Sequence, residues 1–528
     1  MTPDVRHAPA VTPQRPPPAR WWALAVLTLA LLLVAVDATV LGLAMPFLSE
    51  ELRPSSTQLL WIGDVYSFVI AGLLVSMGGL GDRIGRKKLL LSGAAAFGVL
   101  SVLAAYASTP GTLIAARGLM GVAGATLMPS TLALIRNLFS DPGERSFAIG
   151  VWGSASMAGA AVGPVVGGFL LEHFWWGSVF LINIPVMAVL VLFGARLLPE
   201  SRNPAPGPWD MLSVLLSLIG MVGIVYAVKE TAAHGFGLGH LAAGAAGLLC
   251  IAGFVHRQLT IPAPLLDMRL FRNRGLTASV LADLLTVLGI SGTVFFLSQF
   301  FQMVQGLSPL RAGLAEIPAT LGAIVTGLLA GNAARRYSVR AVVAGGLAAI
   351  GVALAALVAV TPDSGYPLVG AVLLVVGIGA GFSFTVTADV ILSSVPQENA
   401  GAASAVSETA YELGAALGIA FLGSIITGRY AEIVIPDGVP AGAAEQARQS
   451  LPGAVDASAA LPEQTADALR VAAQNAFTGG LRMASAVGAA VLLMAAGWAW
   501  RMLRGQKLGG HPTDHGRAQS RIGLGGDP

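Results

Sequence analysis

GGLGDRIGRKKLL (residues 78–90) packs an acid and four bases, Asp82, Arg83, Arg86, Lys87 and Lys88, into a chain that is otherwise strongly apolar. Apolar runs flank it at about 58–79 and 88–107, each of the roughly 20 residues a helix needs to cross a hydrocarbon layer of about 30 Å. The segment therefore reads as a tight cytoplasmic turn between two membrane spans, since Lys and Arg accumulate on that side. Gly78 and Gly85 permit close helix approach and a sharp turn. Asp82 is placed to accept from a helix N-terminus or to pair with a base.

The same test along the 528 residues gives fourteen spans, at about 21–48, 58–79, 88–107, 112–136, 146–170, 178–197, 210–229, 240–257, 276–303, 312–333, 339–360, 366–391, 402–427 and 478–502. Composition agrees: 55% of residues are hydrophobic and 11% are charged. The mean hydropathy is +0.73, which means more apolar surface than a water-soluble domain could hide. With the N-terminus inside, 23 of the 31 Lys and Arg fall in the tails and inner loops, seven fall outside, and Arg117 lies within a span. An even number of spans with both termini cytoplasmic follows. No cleavable signal peptide is expected; residues 1–20, rich in proline, and 505–528 read as disordered cytoplasmic tails. Residues 428–475, with six acids and three arginines, are expected outside as a partly helical hairpin or flexible cap.

A weak repeat is visible. LMPSTLALIRNLFSDPGERS (127–146) and TVTADVILSSVPQENAGAA (385–403) each leave a span through a proline-containing turn that bears a glutamate. Setting Glu144 on Glu398 gives an offset of 254, which also lays span 1 on span 9 and span 5 on span 13. Two six-helix halves, residues 21–200 and 266–504, would then flank two inserted helices in 201–265, and parallel repeats of six build one large transporter class.

These motifs resemble those of the major facilitator superfamily. Residues 78–90 match its loop signature through Gly78, Asp82, Arg83, Gly85 and Arg86. GAAVGPVVGGFL (159–170), with Gly163, Pro164, Gly167 and Gly168, resembles the antiporter motif of its fifth span. DATVLGLAMP (37–46) and LIAARGLMGVAGA (113–125) resemble motifs of the fourteen-span drug:proton antiporters, with Gly42 where Asn is usual and Met120 where Gln is typical. The resemblance implies an all-α integral membrane protein of the major facilitator fold with 14 transmembrane helices (6 + 2 + 6), working by alternating access in the bacterial plasma membrane. In AVSETAYELGAALG (405–418), Glu408 and Glu412 look like the acids of the branch that exports quaternary ammonium compounds and other lipophilic cations.

An ionised side chain at mid-bilayer costs at least about 2.5–3.5 kcal/mol, so each buried acid should line a cavity or find a partner. Asp37, Asp64 and Arg117 fall in the outer half by helical rise, as a proton-coupling cluster; a static Asp37–Arg117 ion pair and an interfacial Asp64 are the plainer alternatives. Glu408 and Glu412, at i and i+4, share a face near mid-bilayer and suit a large cation. Tyr411 and Phe300 could add cation–π contacts, although aromatics there more often only pack. Glu316 is expected as a second substrate carboxylate or as an acid at a loop edge; Asp283 joins the buried set, and Asp389 reads as structural. Cys250, the only cysteine, excludes an intrachain disulfide and a cysteine metal cluster. Without a Walker A loop, an HExxH pair, a hydrolase elbow or a clustered basic patch, the sequence offers nothing for ATP, a metal, an enzyme reaction or nucleic acid. The expected partners are protons, lipophilic cationic small molecules and membrane lipid, with no cofactor, in a monomer. Export of a neutral endogenous antibiotic or metabolite is the alternative; it needs the proton cluster but not Glu408 and Glu412.

Overall fold

The computed structural model describes residues 19–54, 56–202, 210–234, 237–262 and 264–506; most of both expected tails lies outside these residues. The described chain is helical throughout: α1 (Ala19–Leu52), α2 (Ser56–Ile84), α3 (Arg86–Ala105), α4 (Pro110–Leu138), α5 (Pro142–His173), the short α6 (Ser178–Leu181) leading into α7 (Asn183–Leu197), α8 (Met211–His234), α9 (Leu238–Thr260), α10 (Arg274–Gln299), α11 (Pro309–Ala315), α12 (Ile317–Tyr337), α13 (Val339–Leu357), α14 (Tyr366–Ser393), α15 (Ala400–Tyr430), α16 (Ala441–Gln449), α17 (Leu451–Ser458) and α18 (Glu463–Met502). Among the described residues, thirteen helical stretches are long and apolar enough to span a membrane. The fourteenth span is α5, whose 32 residues exceed the length needed.

Local chemistry sets where these helices begin. Thr109 and Thr112 form a reciprocal capping box before Pro110 of α4, and Asp141 accepts from the Gly143 and Glu144 amides before Pro142 of α5. The turn into α3 passes through Gly85 at φ +112°, where a side chain would be strained. A Cβ there would also lie 2.7 Å from the Glu200 carboxyl carbon. Glu200 in turn accepts from the first amides of α3, Lys87 and Lys88.

The repeat is visible in the packing. α1 packs along α5, α2 along α4, and α3 along α4 and α7; in the second half α10 packs along α15, α12 along α14, and α13 along α14 and α18. Glycines carry the tightest of these contacts in both halves, as small residues do wherever membrane helices approach closely. A Cβ on Gly159 of α5 would meet the Ala35 Cβ of α1 at 2.8 Å, and one on Gly414 of α15 would meet Leu284 O of α10 at 2.6 Å. One large core cluster is built mostly from α1 to α7 and another from α10 to α18. Between the halves, α5 runs along α12, and α2 along α15.

The inserted pair sits outside this double bundle. α8 packs on α2 and α15, whereas α9 packs mainly on α8. A polar clasp joins the start of α8 to the end of α9: Arg257 donates to Asp210 at 2.7 and 3.0 Å, and Gln258 donates to Ser213. Hydrogen bonds from Arg257 and Ser213 hold the Asp210 carboxyl down at about 2.

The segment expected as a hairpin or cap is partly helical and packed down. α16 and α17 bury Ala447, Leu451 and Ala454 against the second core cluster, and the Tyr430 hydroxyl donates to Ala447 O at 3.0 Å. α18 begins fifteen residues before the expected span because this cap gives its first turns, through Ala466, Leu469 and Ala473, an apolar surface to cover.

Candidate functional site: two charge clusters and a closed face

Three groups of charged residues are enclosed by the helices. In the first half, α4 brings Arg117 against Asp37 of α1. Arg117 Nη1 donates to Asp37 Oδ2 at 2.8 Å with both side chains almost wholly buried. The other carboxylate oxygen accepts from Asn183 Nδ2 at 2.9 Å, and that amide also reaches Ser101 Oγ at 3.1 Å. The guanidinium lies over the Tyr66 ring at 4.5 Å and 5.9 Å from that of Phe180. One buried cation thus serves an anion and two aromatic faces. Asp64 stands half-buried two residues before Tyr66.

The second cluster has a different composition. Asp283 of α10 is fully buried. It accepts from Ser407 Oγ at 3.1 Å and lies 3.1 Å from Thr387 Oγ1, whose hydroxyl is also within reach of Ser383 O and Phe384 O. That hydroxyl has one proton to share among the three acceptors. Glu408 follows Ser407 on α15 and is 4% exposed; Glu412, one turn on, is half-buried. Among the described residues Asp283 is bonded by hydroxyls and forms no ion pair, in contrast to Asp37. No three described His, Cys, Asp or Glu side chains are grouped as metal ligands. Tyr411 is half-buried; it meets Phe384 edge-on at 5.9 Å, and Phe384 stacks on Trp152 of α5.

The remaining expected substrate residues lie apart. Glu316 forms the joint between α11 and α12, with Oε1 buried and unpartnered among the described residues. Phe300 is fully enclosed in the second core cluster beside Phe301 and presents no face to a ligand in this conformation. It opens a π-helical turn, Phe300–Val304, that follows α10. The aromatics of this helix that border a cavity are Phe295 and Phe296. With Gln299, Thr427, Tyr430 and Phe477 they line a space of about 480 Å³ under the cap.

The third group ties the halves together at the face carrying the Gly-Asp-Arg turn. Asp82 accepts from Arg86 Nε at 2.9 Å and Nη2 at 2.7 Å, and also from the Gly401 and Ala402 amides at the start of α15. A carboxylate thereby meets the positive end of a helix. Gly78 lets α2 come this close, since a Cβ there would lie 2.7 Å from that of Ala405. Arg86 donates to Gln397 O, Arg136 to Val395 O at 2.5 Å, and Arg145 of α5 to Asp389 of α14 at 2.6 Å. Arg83 lies half-buried beside them at the end of α2. Every one of these hydrogen bonds except the Asp82–Arg86 pair joins the first half to the second, so this face is shut.

In α5 the antiporter-like glycines divide by environment. A Cβ on Gly163 would collide with Thr39, and one on Gly167 would meet Val40 Cγ1 at 2.8 Å, whereas Gly168 has nothing within 4 Å. The helix continues unbroken through Pro164. Sequence reasoning found Asp37, Arg117, Glu408 and Glu412 because charge in an apolar span stands out. It passed over Asn183, Ser101 and Tyr66, because small polar and aromatic residues are common in spans and only the three-dimensional meeting with Asp37 and Arg117 marks them.

Comparison with known proteins gives a consistent picture. The Major Facilitator Superfamily profile matches residues 27–419. The chain is 45% identical to the multidrug efflux pump LfrA of Mycolicibacterium smegmatis, over 94% of this chain and 98% of that protein. It is 35% identical to the methyl viologen resistance protein SmvA of Salmonella typhimurium, over 92% and 99%. The crystal structure of the human organic anion transporter MFSD10 overlays with a TM-score of 0.61 at 14% identity, covering 92% of this chain and all of that one, a likeness of fold alone.

Proposed function

The chain belongs to the major facilitator superfamily and is similar along nearly its whole length to multidrug efflux pumps, and from that premise we propose that it is a proton-coupled antiporter that expels lipophilic mono- and dications, quaternary ammonium compounds and dyes among them. The observation that carries this reading is the contrast between the clusters. Asp37 is held by a guanidinium and an amide, whereas Asp283 is buried on hydroxyl support alone with Glu408 buried close by. A cation arriving at α15 supplies the positive charge that Asp283 and Glu408 lack, and protons compete with it there. The relative SmvA bears the name of methyl viologen, a bipyridinium dication of the kind such a site would take.

The packing supports alternating access as the mode of transport. The Gly-Asp-Arg face is the cytoplasmic one in this reading, with both termini on that side of the bacterial plasma membrane, so the inner route is shut by Arg145–Asp389 and the Asp82 bonds to α15. Protons entering from outside neutralise Asp37 and the acids of α15, and the halves rock about the glycine-rich seams. With the inner face open, a cation from the cytoplasm or inner leaflet takes the α15 carboxyls, and its charge favours return to the outward state. Asp64 lies along the proton route and Glu316 near the outer exit. The protein works as a monomer in lipid and performs no chemical conversion.

The test is uptake into inverted vesicles of propidium, a dication, and of Nile red, a neutral dye, with wild type, Glu408→Gln and Glu412→Gln. Propidium uptake should fall by about tenfold or more in either variant, the scale of losing one charge-assisted contact. Variants that move propidium at the wild-type rate would remove the α15 acids from substrate recognition, and export of Nile red alone would turn the reading toward neutral substrates.

A further inference from the structure

The cavity of about 480 Å³ under the cap lies within the second half alone. Its α15 wall is one stripe, Ala416, Ala420, Gly423, Thr427 and Tyr430, spaced by three and four residues along about 21 Å of helix. Small residues open the space. Ala416 and Ala420 leave it unfilled, and Gly423 lets Phe296 of α10 lean in, since a Cβ there would stand 3.0 Å from the ring. Phe295, Tyr430 and Phe477 of α18 add three more aromatic rings, and Leu451 and Pro452 close the space from the cap. These walls are tied to one another. The Tyr430 hydroxyl donates to Ala447 O at 3.0 Å, and Gln474 of α18 donates to Val304 O at 3.1 Å in the turn after α10.

The lining carries no charge: among the described residues no Asp, Glu, Lys, Arg or His borders the space, and Glu412 lies one turn beyond Ala416, outside it. Three neutral polar side chains do border it, Gln299, Thr427 and Gln449, and none of them has a hydrogen-bond partner among the described residues. They offer donors and acceptors on an apolar wall, the make-up of ligand pockets, whose volumes run from about 300 to 1,000 Å³. An ion placed there would lose its hydration with no counter-charge to replace it. We propose that this cavity binds uncharged aromatic molecules carrying an amide or hydroxyl group. The rings pack among Phe295, Phe296, Tyr430 and Phe477, and Gln299, Thr427 or Gln449 holds the polar group. The site is separate from the α15 carboxyls and does not depend on how those acids work. Because α10 and α15 to α18 all belong to one half, the cavity keeps its walls when the halves move, and its occupant does not compete with a cation.

Photolabelling of the purified full-length protein in nanodiscs tests this with two benzophenones, neutral 4-benzoylbenzamide and cationic (4-benzoylbenzyl)trimethylammonium. The two share a ring system and differ in charge. Peptide mass spectrometry should place the amide's adducts in 416–430 and 449–452, about tenfold above those of the ammonium probe at the same positions, and excess propidium should leave them unchanged. Ala420→Trp fills the space and should lower these adducts by about tenfold. If that variant fails to elute as a folded species, Ile419→Phe, which fills the same space from the next position on the wall, decides in its place. Equal labelling of the cavity by the ammonium probe, or loss of the amide's adducts under propidium, would make the cavity part of the cation route and overturn the proposal. Amide adducts spread evenly over lipid-facing segments, or undiminished in a folded filled variant, would overturn it as well.

Discussion

The two halves of this transporter share a packing scheme and differ in chemistry. Near the repeat offset, Asp37 and Arg117 of the first half stand opposite Ser291 and Ala371, while Glu408 and Glu412 of the second stand opposite Ser154 and Ala158. The turn GDRIGRKK (81–88) stands opposite ARRYSVRA (334–341), with Asp82 opposite Arg335 or Arg336 and Gly85 opposite Ser338. Both turns enter the next helix at φ +112°. The glycine seams are kept on both sides because two helices in contact impose the same steric demand wherever they cross. The charges are not kept: in the proposed antiport the two halves would need two unlike sites, one with its charge already balanced and one without. On that proposal, repetition supplies the hinge and divergence the coupling.

The largest expected effect tests the balanced site. Asp37→Asn removes the anion from a buried Arg117 and should cut proton-driven export by about a hundredfold or more, roughly the 3 kcal/mol or above lost when one partner of a buried pair is removed. Transport that persists with its proton coupling intact would move the coupling elsewhere. Next is the latch. Asp389→Asn leaves Arg145 buried and unpaired and should destabilise the shut face by about 3–5 kcal/mol, whereas replacing both residues by Leu should cost far less. Denaturation of wild type and the two variants in detergent checks this, and equal losses would mean that Arg145–Asp389 is not a buried pair in the membrane.

The turns give a smaller and more symmetrical test. Gly85→Ala should destabilise by about 1–3 kcal/mol because of its positive φ and the nearby Glu200 carboxylate. Ser338→Gly relieves the same strain at the loss of only a 3.4 Å cap to Ala341. It should stabilise by up to about 1 kcal/mol. The same sign for both would show that the two turns are not equivalent. The smallest effect belongs to the inserted pair. Asp210→Asn should lower the melting temperature by about 1–2 °C, since the clasp is partly exposed. Because the Asp210 carboxyl is held down in the folded state, its contribution is fully present above the ordinary carboxylate range and is lost as pH falls toward about 2. The gap between wild type and variant should therefore be constant from pH 8 to 5 and close only in acid.

The helical scaffold was legible in the sequence because apolar runs of membrane length separated by basic turns have few other readings, and the Gly-Pro and Gly-Asp-Arg segments narrowed it to one fold. The limits of α18 were not, since the start of that helix depends on the cap built by residues 441–458. At the site, buried charges announced themselves by their cost, but their pairing did not. Arg117–Asp37 was open to either a static or a working pair, and Arg145–Asp389 joins residues 244 apart in sequence. Asn183, Ser101 and Tyr66 carry no signal of their own; they matter through what they touch. Phe300 was expected at the substrate because aromatics near a cation site invite that reading, yet burial gives it to the core.

The central claim is that protons and a cation compete for the carboxyls of α15. Its most direct test is the affinity of the purified protein for propidium from pH 6 to pH 8. Wild type should bind about tenfold more weakly at pH 6 than at pH 8, and Glu408→Gln/Glu412→Gln should bind weakly with little dependence on pH. Wild-type affinity and pH dependence in the double variant would contradict the account.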